Sequence, residues 1–172
     1  MKSDLKQLED IYSRIIIEKS GRKVIKGTVS FTDFVMPEMP EWLSEVEVQG
    51  DMYVVNSYVT SLKGMPKKIE GMIMVTHNPR LRSLEGSPND VHFLYLAGNQ
   101  RLQSFVGGPT TVKTNFTCQD CGLVSLEGIP KKVGNHVTIF YNRKKFSTKE
   151  IAEVCKARTI LSDDSGDDDE FL

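Results

Sequence analysis

Apolar and polar residues alternate in five short stretches, with Met52/Val54, Ile73/Val75, Leu94/Leu96, Phe116/Cys118 and Val137/Ile139 as the apolar pairs, and successive stretches lie 21, 21, 22 and 21 residues apart. A period of two places each pair on one face of a short strand. Between the stretches one phrase recurs: Ser61-Leu62-Lys63-Gly64-Met65-Pro66, Ser83-Leu84-Glu85-Gly86-Ser87-Pro88, Ser104-Phe105-Val106-Gly107-Gly108-Pro109 and Ser125-Leu126-Glu127-Gly128-Ile129-Pro130. Three residues after each proline stands Ile69, Val91, Val112 or Val133. Repeats of this length bury their apolar face only against neighbouring repeats, so the pattern predicts a solenoid with its strands stacked as a parallel sheet.

The third copy, Val91-x-x-Leu94-x-Leu96-x-x-Asn99-x-x-Leu102, follows the leucine-rich-repeat phrase. The predicted fold class is therefore an α/β solenoid, leucine-rich-repeat-like, with about five short parallel strands. Ser57, Asn78, Asn99, Cys121 and Asn142 form a column where the chain leaves each strand, and small polar residues there would satisfy buried backbone groups. Val59, Leu81, Leu102 and Leu123, then Leu62, Leu84, Phe105 and Leu126, supply the core after the turn. The prolines forbid helix just before them, so the convex side should be extended or turn-like.

Solenoid ends need caps. Leu5, Leu8, Ile11, Tyr12, Ile15 and Ile16 recur at helical spacing and predict an amphipathic helix over residues 4–19, stopped by Gly21, with a strand over Lys23–Phe31. Ser147-Thr148-Lys149-Glu150 is a capping box followed by Ile151, Val154 and Cys155 as the buried side of a second helix. The resulting division is an N-terminal helix plus strand cap (1–50), the solenoid (51–146), a C-terminal capping helix (147–160) and a disordered acidic tail (161–172).

The stretch from Phe116-Thr117-Cys118-Gln119-Asp120-Cys121-Gly122-Leu123 through Ser125-Leu126-Glu127-Gly128-Ile129-Pro130-Lys131-Lys132-Val133-Gly134, together with Lys144-Lys145-Phe146-Ser147-Thr148-Lys149-Glu150-Ile151, resembles short leucine-rich-repeat-like proteins of T4-like tailed bacteriophages. The resemblance covers about residues 40–158. It implies a phage origin and the repeat fold; the family includes many products without an assigned activity. The approach to Met52 through Pro40-Glu41-Trp42-Leu43, the N-terminal helix and the acidic tail depart from the pattern.

The chain has 172 residues and a formal net charge of −1, unevenly spread. Residues 51–158 carry 15 bases against 8 acids, and residues 159–172 carry 6 acids and no base. A basic body with an acidic tail often accompanies contact with an acidic partner or a tail that shields a basic surface; the alternative is a solvated body with a solubilising tail. No apolar run approaches the roughly 20 residues a bilayer requires. The N-terminus lacks a secretory pattern, so an intracellular, cytoplasmic protein is expected, in the host cytoplasm if the chain is phage-encoded.

Three cysteines, Cys118, Cys121 and Cys155, are too few for a disulfide framework, and the repeat register explains Cys118 as a strand position and Cys121 as a member of the turn column. His77, His92 and His136 occupy different repeat positions and converge on nothing. No phosphate-loop, zinc-protease or nucleophile-elbow motif is present. The expectation is a non-enzyme without cofactor, metal or small-molecule substrate.

Two surfaces remain. Register points Tyr53, Met74, Tyr95, Thr117 and Thr138 out of the concave sheet face, flanked by Asp51, Met72, Phe93, Asn115 and His136 on one side and Val55, Thr76, Ala97, Gln119 and Phe140 on the other. Clustered aromatic and methionine side chains mark binding surfaces, which makes Tyr53, Met72, Met74, Phe93, Tyr95 and Phe140 candidate partner-binding residues. The alternative is a face covered from within by Phe31, Phe34 or Trp42. The second surface is basic: Arg80, Arg82, Arg101, Lys131, Lys132, Arg143, Lys144 and Lys145. Aligned, they would attract phosphates without reading sequence. The expected function is a phage accessory module that binds and modulates a host protein. The alternative is an Alc-type regulator of host transcription touching RNA polymerase, DNA or both, its acidic tail competing for the basic surface.

Overall fold

In the computed structural model, which describes residues 2–164, the chain winds into a parallel β-solenoid of about seven turns. Helix α1 (Lys2–Ser13) is followed by β1 (Ile16–Ile17), β2 (Lys23–Lys26), β3 (Val29–Thr32), a 3-10 turn (Glu41–Glu45), β4 (Val46–Gln49), β5 (Met52–Val55), β6 (Lys68–Ile69), β7 (Met72–Thr76), β8 (Asp90–Val91), β9 (Phe93–Ala97), β10 (Thr111–Val112), β11 (Phe116–Gln119), β12 (Lys132–Val133) and β13 (His136–Phe140). Helix α2 (Thr148–Val154) and β14 (Thr159–Ser162) close the described chain. The main sheet is all parallel, in the order β3-β5-β7-β9-β11-β13-β14. Shorter parallel ladders, β2-β4-β6 and β8-β10-β12, form from the segments that precede each main strand, and β1 pairs antiparallel with β2.

The register places Met52, Ile73, Leu94, Phe116 and Val137 side by side, as the alternation predicted. These residues, with Val54, Val75, Leu96, Cys118 and Ile139, are fully buried. After each main strand the column of Asp33, Asn56, His77, Gly98, Asp120 and Tyr141 turns the chain with positive φ. The polar column comes next: Asn78 accepts from the Ser57 amide at 2.9 Å and donates to the Val54 carbonyl at 3.0 Å. Asn99 does the same for Asn78 and Val75, and Asn142 for Cys121 and Cys118. Each side chain thus satisfies backbone groups of the preceding coil that burial would otherwise leave unpaired. On the far side the coils touch backbone to backbone. At Gly128 (φ 78°) a Cβ would come within 2.5 Å of the Phe105 backbone, so only glycine lets the turn lie that close.

The main sheet has seven strands, two more than the repeat phrase marks. Instead of one strand over Lys23–Phe31, the chain bends at Gly27 (φ 86°) and builds a first coil from β2 and β3. At the other end β14 adds a strand after α2. Both terminal coils are 23 residues long, Val29 pairing with Met52 and Val137 with Ile160, and neither contains the Ser-Leu-x-Gly-x-Pro phrase.

Helix α1 ends at Ser13 rather than continuing to 19, because the β-branched run Ile15-Ile16-Ile17 favours the extended chain, and Ile16 and Ile17 pair with Val24 and Lys23. Tyr12, Ile16 and Ile17 are exposed, contrary to the expected apolar stripe. The covered face of α1 is Asp4, Gln7, Leu8 and Ile11, with Arg14 just beyond its end. Gln7 exchanges two hydrogen bonds with the Thr32 backbone, Asp4 accepts from the Val35 amide at 3.1 Å and Arg14 donates to the Thr28 carbonyl at 2.7 Å. At Thr32 a side chain therefore stands in for a neighbour of the edge strand β3, and Asp4 and Arg14 hold the chain on either side of it.

The capping box of α2 forms as expected, Ser147 Oγ accepting from the Glu150 amide at 3.1 Å and the Ser147 amide donating to Glu150 at 2.8 Å. Ile151 and Cys155 are buried, but Val154 is exposed, since the helix is only seven residues long and turns away into β14. Residues 161 and 162, expected in the tail, complete β14. The remainder of the acidic tail, 165–172, lies outside the described residues.

Candidate functional site

Seven parallel strands carry one outward column down the middle of the main sheet: Ser30, Tyr53, Met74, Tyr95, Thr117, Thr138 and Leu161. Met72 pairs with Phe93 in the column before it, and Thr32, Val55, Thr76, Ala97, Gln119 and Phe140 run in the column after it. Tyr53, Met72, Met74, Phe93 and Tyr95 thus occupy adjoining positions on three neighbouring strands. All five are half-buried. With strands about 4.8 Å apart, their side chains form one continuous apolar surface.

Polar neighbours fix the two tyrosines. The Tyr53 hydroxyl donates to Asp51 at 3.1 Å, and Asp51 also accepts from the Met72 amide at 2.8 Å, holding the carboxylate at the edge of the patch. The hydrogen bond to Asp51, then burial, raises the Tyr53 phenol above its ordinary range and keeps it a donor. Gln119 donates to the Tyr95 hydroxyl at 2.7 Å and sits beside Phe140 in the pairing of β11 with β13. Phe140, two strands beyond Tyr95, is thereby linked to the patch through Gln119, and its ring lies 5.8 Å from that of Tyr141. In the sequence pattern Asp51 and Gln119 are no more than flanking positions; their role as clamps depends on rotamers that alternation does not specify.

The side chains that would cover the patch from within lie elsewhere. Phe31 and Phe34 are fully buried, their rings 4.9 Å apart edge-to-face. Trp42 packs edge-to-face on Tyr12 at 5.2 Å, where both line a small hollow with Ile15, Ile17 and Lys23 at the N-terminal cap.

The basic residues separate into groups. Arg82, Arg101 and Arg143 line one open hollow of about 440 Å³ together with Gln100 and Gln103. Arg80 stacks on Tyr58, its guanidinium 5.0 Å from the ring centre. Lys144 pairs with Glu150 at 3.1 Å and lies over the Phe146 ring. Lys131 and Lys132 belong to the β8-β10-β12 side and do not line the arginine hollow, and Lys145 is exposed. Gln100 and Gln103 carry no signal in the sequence. Gln100 reaches forward to donate to the Asp120 carbonyl and carboxylate at 2.8 and 2.9 Å.

The three thiols are buried and free of disulfides. Burial pushes the Cys118 thiol well up and that of Cys155 to about 11. Among the described residues no group of three or more His, Cys, Asp or Glu side chains is placed to hold a metal ion, and the three histidines are exposed at separate positions. No described helix is long and apolar enough to cross a membrane.

No protein-family model matches the chain, and neither the curated proteins nor the solved structures contain a significant match to it.

Proposed function

We propose that this protein is a non-catalytic interaction module that binds a protein partner through the outer face of its main sheet. The observation that carries this reading is the run of Tyr53, Met72, Met74, Phe93 and Tyr95 across three adjacent strands, with Phe31, Phe34 and Trp42 all packed elsewhere. A solvated sheet face is ordinarily polar; aromatic and methionine side chains on a rigid sheet offer contact area at little entropic cost. The repeat phrases support a phage accessory protein whose partner is a host protein of the bacterial cytoplasm.

A second reading rests on the convergence of Arg82, Arg101 and Arg143 in one hollow. Here the chain regulates host transcription in the Alc manner, touching RNA polymerase or DNA through guanidinium contacts to phosphate.

Affinity capture from nuclease-treated bacterial lysate separates the two. The first reading expects one stoichiometric protein that resists salt, is lost with Tyr95→Glu and is retained with Arg101→Glu. The second expects polymerase subunits or nucleic acid that wash off with salt and are lost with Arg101→Glu. Unchanged capture by Tyr95→Glu overturns the first reading.

A further inference from the structure

Arg82, Arg101 and Arg143 come from three different coils, yet they line one hollow with Gln100 and Gln103. Among the described residues none of the three arginines forms an ion pair. Five bases elsewhere are paired: Arg22 with Glu18 and Glu47, Lys23 with Glu45, Lys63 with Glu85, Lys68 with Glu47 and Lys144 with Glu150. Three guanidiniums around a hollow suit a string of carboxylates or phosphates, which they grip in planar two-point contacts.

The described chain ends in the coil that follows the Arg143 coil. Asp163 accepts a hydrogen bond from the amide of Tyr141, two residues before Arg143, and Asp164 accepts one from the amide of Thr148, both at 3.0 Å. The eight residues that follow are Ser165-Gly166-Asp167-Asp168-Asp169-Glu170-Phe171-Leu172, with four consecutive acids and no base. Arg82 stands four coils back from the coil of Asp164, about 19 Å at the spacing of neighbouring strands, and Arg101 three, about 14 Å. Fully extended, the acids at 167–170 reach between roughly 10 and 21 Å beyond Asp164. Charge, point of departure and reach therefore agree on a single occupant.

We propose that the Arg82–Arg101–Arg143 hollow is a docking groove for this chain's own acidic segment, Asp167–Glu170. The segment sets four carboxylates against three guanidiniums and so competes with any external polyanion for the groove. Docking is intramolecular, so it profits from a high effective concentration even where each contact is weak. It is also mostly solvent-exposed electrostatics, so salt should release it. The groove is a different surface from the Tyr/Met/Phe face, and the proposal stands or falls independently of the partner bound there.

The test uses the full-length chain with the four acids neutralised (D167N, D168N, D169N, E170Q), changes that touch no described contact. Side-chain Nε–Hε resonances are compared by NMR at low salt. Neutralisation should shift Arg82, Arg101 and Arg143 and leave Arg80, stacked on Tyr58, in place. About 0.5 M salt should move the unmodified chain toward the neutralised positions. Adding an octapeptide of sequence 165–172 to the neutralised chain should restore the original positions, with at least tenfold weaker affinity once Arg101→Glu is introduced. Identical arginine spectra for the native and neutralised chains overturn the proposal. So does a 12-nucleotide single-stranded DNA that binds both chains equally, since the groove would then be an open phosphate site.

Discussion

The side-chain amide of Gln7 and the backbone of Thr32 exchange two hydrogen bonds, Nε2 donating to the carbonyl at 2.8 Å and the amide donating to Oε1 at 3.1 Å. One glutamine on α1 thus occupies the place of a residue on an absent eighth strand. Replacing Gln7 by Leu keeps the shape and removes both bonds, leaving the groups of an exposed edge to water. A loss of about 1–2 kcal/mol is expected in urea unfolding, with a greater tendency to associate through β3.

Asn99 bridges two coils from a fully buried position, accepting from the Asn78 amide at 3.0 Å and donating to the Val75 carbonyl at 2.8 Å. Asn99→Leu strands the Asn78 amide and the Val75 carbonyl in the core and removes one of the acceptors of the Asn78 side chain. The expected cost is about 2–5 kcal/mol, measured by chemical denaturation, and clearly larger than that of Gln7→Leu because water cannot reach the abandoned groups.

The column containing Asn99 was legible from the sequence because burying a polar side chain at the same place in every apolar repeat costs free energy unless it pairs with buried backbone groups. The strand register was legible too, since a one-residue slip would turn Tyr95 inward and Leu94 outward. The terminal coils were legible only in part. Extended chain over Lys23–Phe31 was read from alternation but not its break at Gly27 into β2 and β3, and Thr159–Ser162 becomes a strand by pairing with β13, an effect of tertiary contact rather than of local pattern. Helix α1 was legible in part: Leu8, Ile11 and Ile15 pack on the core as their spacing predicts, but Leu5, Tyr12 and Ile16 are exposed, and Asp4 and Gln7 turn to β3 and the chain after it, which hydrophobic spacing does not reveal. At the functional surfaces, alternation revealed which side chains leave the sheet together. The grouping of Arg82, Arg101 and Arg143 without Lys131 and Lys132 required knowing which turns lie next to one another.

Glu150 closes the α2 capping box, and its carboxyl is held below the ordinary value by the Ser147 amide and by Lys144. A depressed folded-state value contributes stability that is present above the unfolded-state value, near 4.3, and is lost as pH falls through the folded one. Glu150→Gln should therefore lower the melting temperature at pH 7 and converge on the unmodified chain in strongly acidic solution. The check is a series of thermal melts from pH 7 to pH 2.

All three cysteines are buried away from reagent; burial raises the Cys118 and Cys155 thiols, the latter to about 11, while the hydrogen bond with Cys118 lowers that of Cys121. Ellman's reagent at pH 8 should react with the native protein only at the rate of unfolding and with three thiols per chain in denaturant. Rapid native reaction of Cys121 would show that the turn column opens locally.

The central claim is that a protein partner occupies the outer face of the main sheet. Oxidative footprinting of the chain free and bound to its captured partner tests this most directly, because Met72 and Met74 are half-buried and readily oxidised where solvent reaches them. Binding should slow oxidation of Met72, Met74 and Tyr95 at least fivefold while Tyr58 and Tyr12, exposed away from the patch, stay unchanged. Equal oxidation of Met72 and Met74 in the free and bound protein would contradict the account.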